Sequence, residues 1–290
     1  MKTWMHGIAV LTVSISLFAD EGYPREFTDA AGHKVVLAAK PQRIASLTLG
    51  TDENLLSLVD PSRIVAMTAI SKEPYVSNVA DRVPEGMLLV KNEWEKVVEA
   101  KPDLVLVATY TKEFVQPLVD KGLPVYQFSE FKGLAALQKN LEILGQLTGE
   151  EAKAAEILEG HRKRLAQASQ GERKVRAIYF SEGRLSGGKT TPSDILLAAG
   201  LIDVCAEFGV EGTLLATPKL IANLNPDVIL IGEDSKEAEE GTMKLFQTPE
   251  YQAIPAVKAG RVFPIPGKHI TTVSHHILEA VGDIERALGQ

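Results

Sequence analysis

The chain has 290 residues, 45% hydrophobic and 24% charged, with a formal net charge of −7. These values suit a globular protein with one large core or two medium ones, and the acidic balance offers no basic surface for nucleic acid. The single cysteine, Cys205, excludes an intramolecular disulfide and a cysteine-based metal cluster; within LIDVCAEF it reads as a small buried apolar residue rather than a catalytic thiol.

The chain opens MKTWMHGIAVLTVSISLFADEGYP. A basic start at Lys2, an apolar run of about thirteen residues and a small residue at Ala19 have the layout of a secretory leader over residues 1–19. The run is shorter than the roughly twenty residues that a permanent span needs. It contains no cysteine to carry a lipid, so the mature chain is expected to be exported, in the periplasm, without a lipid anchor. FTDAAGHKVVL then predicts a hairpin turning at Ala31-Gly32.

A pattern follows that occurs twice. EKVVEAKPDLVLVATY, from Glu95, and PKLIANLNPDVILIGED, from Pro218, each read as a short amphipathic helix, a turn at Lys-Pro-Asp or Asn-Pro-Asp, and an apolar strand. The likeness extends outward. QRIASLTLGTDENLLSLVDPSRIVAMT precedes the first copy, and KVRAIYFSEG with TTPSDILLAAGLIDVCAEF precedes the second; KGLPVYQF and KAGRVFPI follow them. Strand, helix, strand, helix, Pro-Asp, strand, helix, strand therefore recurs in one order. Alternating strands and helices predict parallel sheets covered on both faces.

The expected architecture is α/β: two similar lobes with mainly parallel sheets, residues 20–131 and 173–290, joined by a helical bridge over residues 132–172. In the bridge Leu134, Leu137, Leu141 and Leu144 share one helical face, and Thr148 with Glu151 reads as a capping box starting a second helix. A ligand belongs between the lobes, where strand ends of both sheets converge.

Together FTDAAGHKVVLAAKPQRIASLT, KVVEAKPDLVLV, LGQLTGEEAKAAEIL, TTPSDILLAAG, LIANLNPDVILIG and PAVKAGRVFPIP resemble the periplasmic binding proteins for iron chelates and vitamin B12, the receptors of ABC importers for ferric siderophores, haem and cobalamin. The resemblance covers nearly the whole mature chain. It implies a monomeric receptor with no cofactor of its own, a metal-chelate cargo, a permease partner that is its sole link to the membrane, and no catalysis. Haem or a ferric siderophore is expected ahead of cobalamin. The resemblance also implies an acidic residue docking on the permease at the start of the helix before each Pro-Asp. That position is Glu95 in the first lobe and Lys219 in the second, so Glu211 is the substitute acid considered there.

Expected cleft residues lie in loops after strands: Leu49–Thr51, Ser71–Tyr75, Tyr110 and Lys112 in the first lobe, Glu182–Lys189 and Lys268–His276 in the second. Tyr75 occupies the place where haem-binding relatives carry an iron-ligating tyrosine, and a phenolate is a hard donor for ferric iron. His269 and His275 are possible imidazole ligands. Arg184, Lys189, Lys112 and Lys268 are cations for haem propionates or a ferric catecholate.

Two other readings compete. GRLSGGKT, from Gly183, matches the phosphate-cradling pattern G-x-x-x-x-G-K-[ST], though Pro192 places the helix start after Thr190. A receptor for a bare metal ion needs three or four converging His, Asp or Glu side chains, of which the C-terminal histidines supply one or two.

Overall fold

The computed structural model describes residues 22–110, 112–168 and 174–289, with the side chains of all of these but 112–114 and 168. The expected leader, residues 1–19, lies outside the described residues. Strands β1 (Arg25–Thr28) and β2 (Lys34–Leu37) form the expected antiparallel hairpin. Gly32 turns it with φ of 86°, a conformation that costs glycine little.

The first lobe holds β3 (Ile44–Ser46), β4 (Ile64–Thr68), β5 (Leu89–Val90), β6 (Leu104–Ala108) and β7 (Val125–Phe128), all parallel, in the order β5-β4-β3-β6-β7. The second holds β8 (Arg176–Ser181), β9 (Arg184–Ser186), β10 (Ile202–Asp203), β11 (Thr213–Leu215), β12 (Val228–Ile231) and β13 (Val262–Pro264). Its order is β11-β9-β8-β12-β13, with β10 also on β8. The parallel strands β10, β8, β12 and β13 repeat β4, β3, β6 and β7. What the second lobe adds is the antiparallel pair β9 and β11, laid along the carboxyl half of β8.

Alternating residues of the central strands feed separate cores. Leu104 and Leu106 pack on one face of the first sheet, Val105 and Val107 on the other. Tyr179 and Leu230 pack on one face of the second sheet, Phe180 and Ile231 on the other. All eight are at most 2% exposed, which is why these strands read as continuous apolar runs.

The repeated Pro-Asp has one physical role in both lobes. Proline disfavours the right-handed helical region for the residue before it, and Lys101 and Asn225 both stand at φ of 49°, ending their helices. The aspartate then ties down the start of the central strand. Asp103 accepts from the backbone N–H groups of Gln42 and Arg43 at 2.8 and 2.9 Å, and Asp227 accepts from that of Arg176 at 2.8 Å. Side-chain caps start the helices that follow the central strands: Thr48 opens Leu49–Leu58 and Thr190 opens Thr191–Ala198.

The bridge is, as expected, a pair of helices, Leu134–Thr148 and Glu151–Ala168. Leu137 enters the second lobe's core, whereas Leu141, Leu144 and Leu147 enter the first lobe's, so a single apolar stripe serves both. The expected capping box is replaced. Thr148 ends the first helix and its hydroxyl donates back to the Leu144 carbonyl at 2.7 Å. Gly149, at φ of 69°, is the left-handed cap of that helix, and Glu150 holds Arg63 and Lys40.

Candidate functional site

The lobes meet through the first turns of helix Leu49–Leu58 and the segment from Thr272 to His276. A Cβ on Gly50 would stand 2.6 Å from the Val273 carbonyl oxygen, so glycine permits the approach. Glu53, fully buried, accepts from the Thr272 hydroxyl at 2.9 Å, the Ser274 hydroxyl and the Asn78 backbone N–H at 2.7 Å. Asn54 accepts from the His275 backbone at 3.0 Å and its ring Nδ1 at 2.7 Å. A carboxylate and an amide from one lobe thus satisfy a strap of the other.

Two cavities open where strands end. The first, about 270 Å³, sits past the ends of β3, β4, β5 and β6 and is lined by Leu47, Leu49, Ile70, Lys91 and Tyr110. The second, about 390 Å³, lies between the lobes: Pro74 and Tyr75 from the first face Glu233, Glu239, Pro264 and Lys268 from the second. Tyr75 is 47% and Tyr110 70% exposed. Tyr110 rests edge-on against Phe131, ring centroids 5.8 Å apart.

Glu233, 5% exposed, follows β12. Its carboxylate accepts from the Thr242 hydroxyl at 2.6 Å, the Glu182 backbone N–H at 3.2 Å and the Ser181 hydroxyl at 3.4 Å. Behind it Gly267 packs so closely that a Cβ would lie 2.1 Å from the Glu233 carbonyl oxygen. Sequence reasoning missed Glu233 as a cleft residue. Its only signal was position, two residues beyond the end of a buried strand.

Of the expected contacts, the structure brings Tyr75 and Lys268 together in the interlobe cavity and places Tyr110 in its neighbour. The side chain of Lys112 lies outside what is described. The others are engaged elsewhere. Arg184 donates to the Thr213 carbonyl and hydroxyl at 3.0–3.1 Å, along the β9–β11 pair. Lys189 pairs with Glu211 at 2.6 Å, so an expected ligand contact and an expected docking acid hold one another. His269 is clamped by Asp283 at 2.5 Å and Glu279 at 3.1 Å on the final helix of its own lobe. His275 is in the lobe contact, where burial first, then the neighbouring rings of His276 and His161, push its imidazole down to about 3.

GRLSGGKT is not a phosphate cradle. Arg184–Ser186 is a strand paired on both sides, and the N–H groups of Gly187 and Gly188 are spent on the carbonyls of Gly212 and Val210 at 2.9 and 2.8 Å. A cradle needs those donors free. Among the described residues no group of three or more His, Cys, Asp or Glu is placed to hold a bare metal ion. Cys205 is buried, and burial followed by the nearby Asp203 pushes its thiol up to about 12.

At the lobe tips, Glu95 stands exposed in the first turn of helix Trp94–Glu99, with no partner among the described residues. Its neighbour Glu93 is committed: it accepts from the backbone N–H groups of Lys91 and Asn92 and from Lys96, which hold its carboxyl down at about 2. Lys219 is likewise exposed, in the first turn of helix Pro218–Leu224.

Known proteins resemble this chain in sequence or in fold. An uncharacterized ABC transporter substrate-binding lipoprotein of Bacillus subtilis (strain 168) is 22% identical over 280 residues, 92% of this chain and 86% of the relative. A cobalamin-binding protein of Halobacterium salinarum is 23% identical over 276 residues, 91% of this chain and 74% of the relative. A possible iron-binding, periplasmic solute-binding protein of Staphylococcus epidermidis superposes with a TM-score of 0.73 at 21% identity, covering 87% of this chain and 100% of that one. Residues 44–268, from the first strand of the first parallel sheet to the lysine in the interlobe cavity, match the model of the periplasmic binding proteins, and the chain belongs to that family.

Proposed function

We propose that the chain is the substrate-binding protein of an ABC importer: exported with loss of residues 1–19, it captures a metal chelate or tetrapyrrole between its lobes and presents it to a permease, performing no chemistry. The observation that carries this is the cavity in which Tyr75 of one lobe meets Lys268 and Glu233 of the other. A site divided between lobes is suited to capture and release, because each half contacts a different side of the cargo. Residues 20–131, 132–172 and 173–290 act as first lobe, bridge and second lobe. Tyr75, Tyr110 and Lys268 are the proposed contacts, and Tyr75 is the residue that ligates iron if the cargo is haem. Glu95 is the proposed docking acid; an exposed carboxylate contributes little binding energy but sets orientation and on-rate.

The test is a titration of the mature protein, as a monomer, with haemin, cyanocobalamin and ferric siderophores, alongside Tyr75→Ala. One of these is expected to bind saturably at one to one, and the substitution to weaken it about tenfold or more. If every chelate fails to bind, the assignment is wrong.

A further inference from the structure

The charges of the interlobe cavity are unlike those that a polyanion requires. Its lining carries two carboxylates, Glu233 and Glu239, against one ammonium, Lys268. Two of the four cations expected to answer a carboxylate-bearing ligand are occupied: Arg184 by Thr213 and Lys189 by Glu211. Bidentate capture of a propionate needs a free guanidinium fork, and neither residue supplies one.

Glu233 is the most constrained of the three lining charges. Three donors fix its two oxygens, with the Glu182 N–H shared between both at 3.2 and 3.3 Å. A carboxylate has about four acceptor positions, which leaves about one for the cavity. Its backbone is pinned by the contact with Gly267, so it cannot swing away from an arriving ligand as a surface glutamate does.

We infer that Glu233 is a specificity-determining residue: it selects cargo that presents amide N–H or ammonium donors and carries no net negative charge, and it discriminates against haem and catecholate chelates. An N–H donor completes the carboxylate's hydrogen bonding. A propionate or phenolate oxygen in the same place sets two anions together out of water, with no proton between them. Amide-bearing corrinoids and cationic ferric hydroxamates share the favoured chemistry. This rests on the reading that the cavity is the cargo site.

The experiment is calorimetric titration of the mature chain with cyanocobalamin, ferrioxamine B and haemin. Wild type is expected to bind cyanocobalamin or ferrioxamine B at one to one and haemin at least about tenfold more weakly. Which of the first two binds separates a corrinoid from a hydroxamate source. Glu233→Gln keeps an acceptor oxygen for Thr242 and Glu182 while removing the charge, and should shrink the haemin disadvantage by roughly tenfold. Glu239→Gln, at a partly exposed position with no fold-critical contact, should shift the ratio in the same direction by less. Haemin binding wild type as tightly as the others overturns the inference while leaving the receptor assignment standing, and needs no variant. An unchanged ratio in folded Glu233→Gln and Glu239→Gln also overturns it. If no probe binds wild type, both readings fall.

Discussion

His275 makes the contact between the lobes sensitive to acid. Its Nδ1 and backbone N–H both donate to the Asn54 oxygen, at 2.7 and 3.0 Å, and its ring lies 4.2 Å from that of His276. Burial, with His276, His161 and Arg82 nearby, outweighs the attraction of Glu279 and holds the imidazole down at about 3. An unfolded histidine titrates near 6.5. Between those values the unfolded chain binds a proton that the folded chain refuses, so stability is full above about pH 6.5 and falls as pH drops through the unfolded value. From pH 7 to pH 5 the linkage amounts to about 2 kcal/mol. Two other buried groups also have shifted titrations. Burial lowers His161, which adds to the loss, and burial raises the carboxyl of Asp52, which opposes it. Comparison with His275→Asn removes both, because asparagine places an N–H near the Nδ1 position and does not titrate. Urea unfolding followed by circular dichroism at pH 7 and pH 5 should show wild type losing about 2 kcal/mol more than the variant. Equal losses would show that the ring accepts its proton without leaving the contact, and the account of the lobe interface would be wrong.

Gly267→Ala drives a Cβ to 2.1 Å from a backbone oxygen that has no room to retreat; a cost of about 3 kcal/mol is expected, read as a lowered melting temperature. Glu53→Ala strands the Thr272, Ser274 and Asn78 donors and should destabilise by about 1–3 kcal/mol in urea. Glu95→Ala should leave the melting temperature and ligand affinity unchanged and reduce uptake through the assembled importer; a loss of affinity for the cargo would argue against its docking role.

Much of the framework was legible because it is local. The hairpin around Gly32, the helix start after Thr190 and the paired Pro-Asp turns depend on residues a few positions apart, and backbone sterics act on them whatever the remainder of the chain does. The apolar runs of β6 and β12 likewise announced sheets covered on both faces. Thr148 shows the boundary of such reasoning. Its capping-box spacing was correct, but Gly149 ended the preceding helix first and turned the hydroxyl back to Leu144.

The site itself was settled by tertiary contacts. Arg184 and Lys189 looked like free cations, yet their partners, Thr213 and Glu211, stand 29 and 22 residues away across a β-pairing that the repeat in the first lobe lacks. His275 found Asn54 at a separation of 221 residues, and Glu233 became part of the cleft only when Tyr75 of the other lobe arrived opposite it. A side chain's propensity for a helix or a turn is a property of its neighbours in sequence. Whether its charge is free, paired or buried is a property of its neighbours in space, and those are chosen by how the two sheets pack across the bridge.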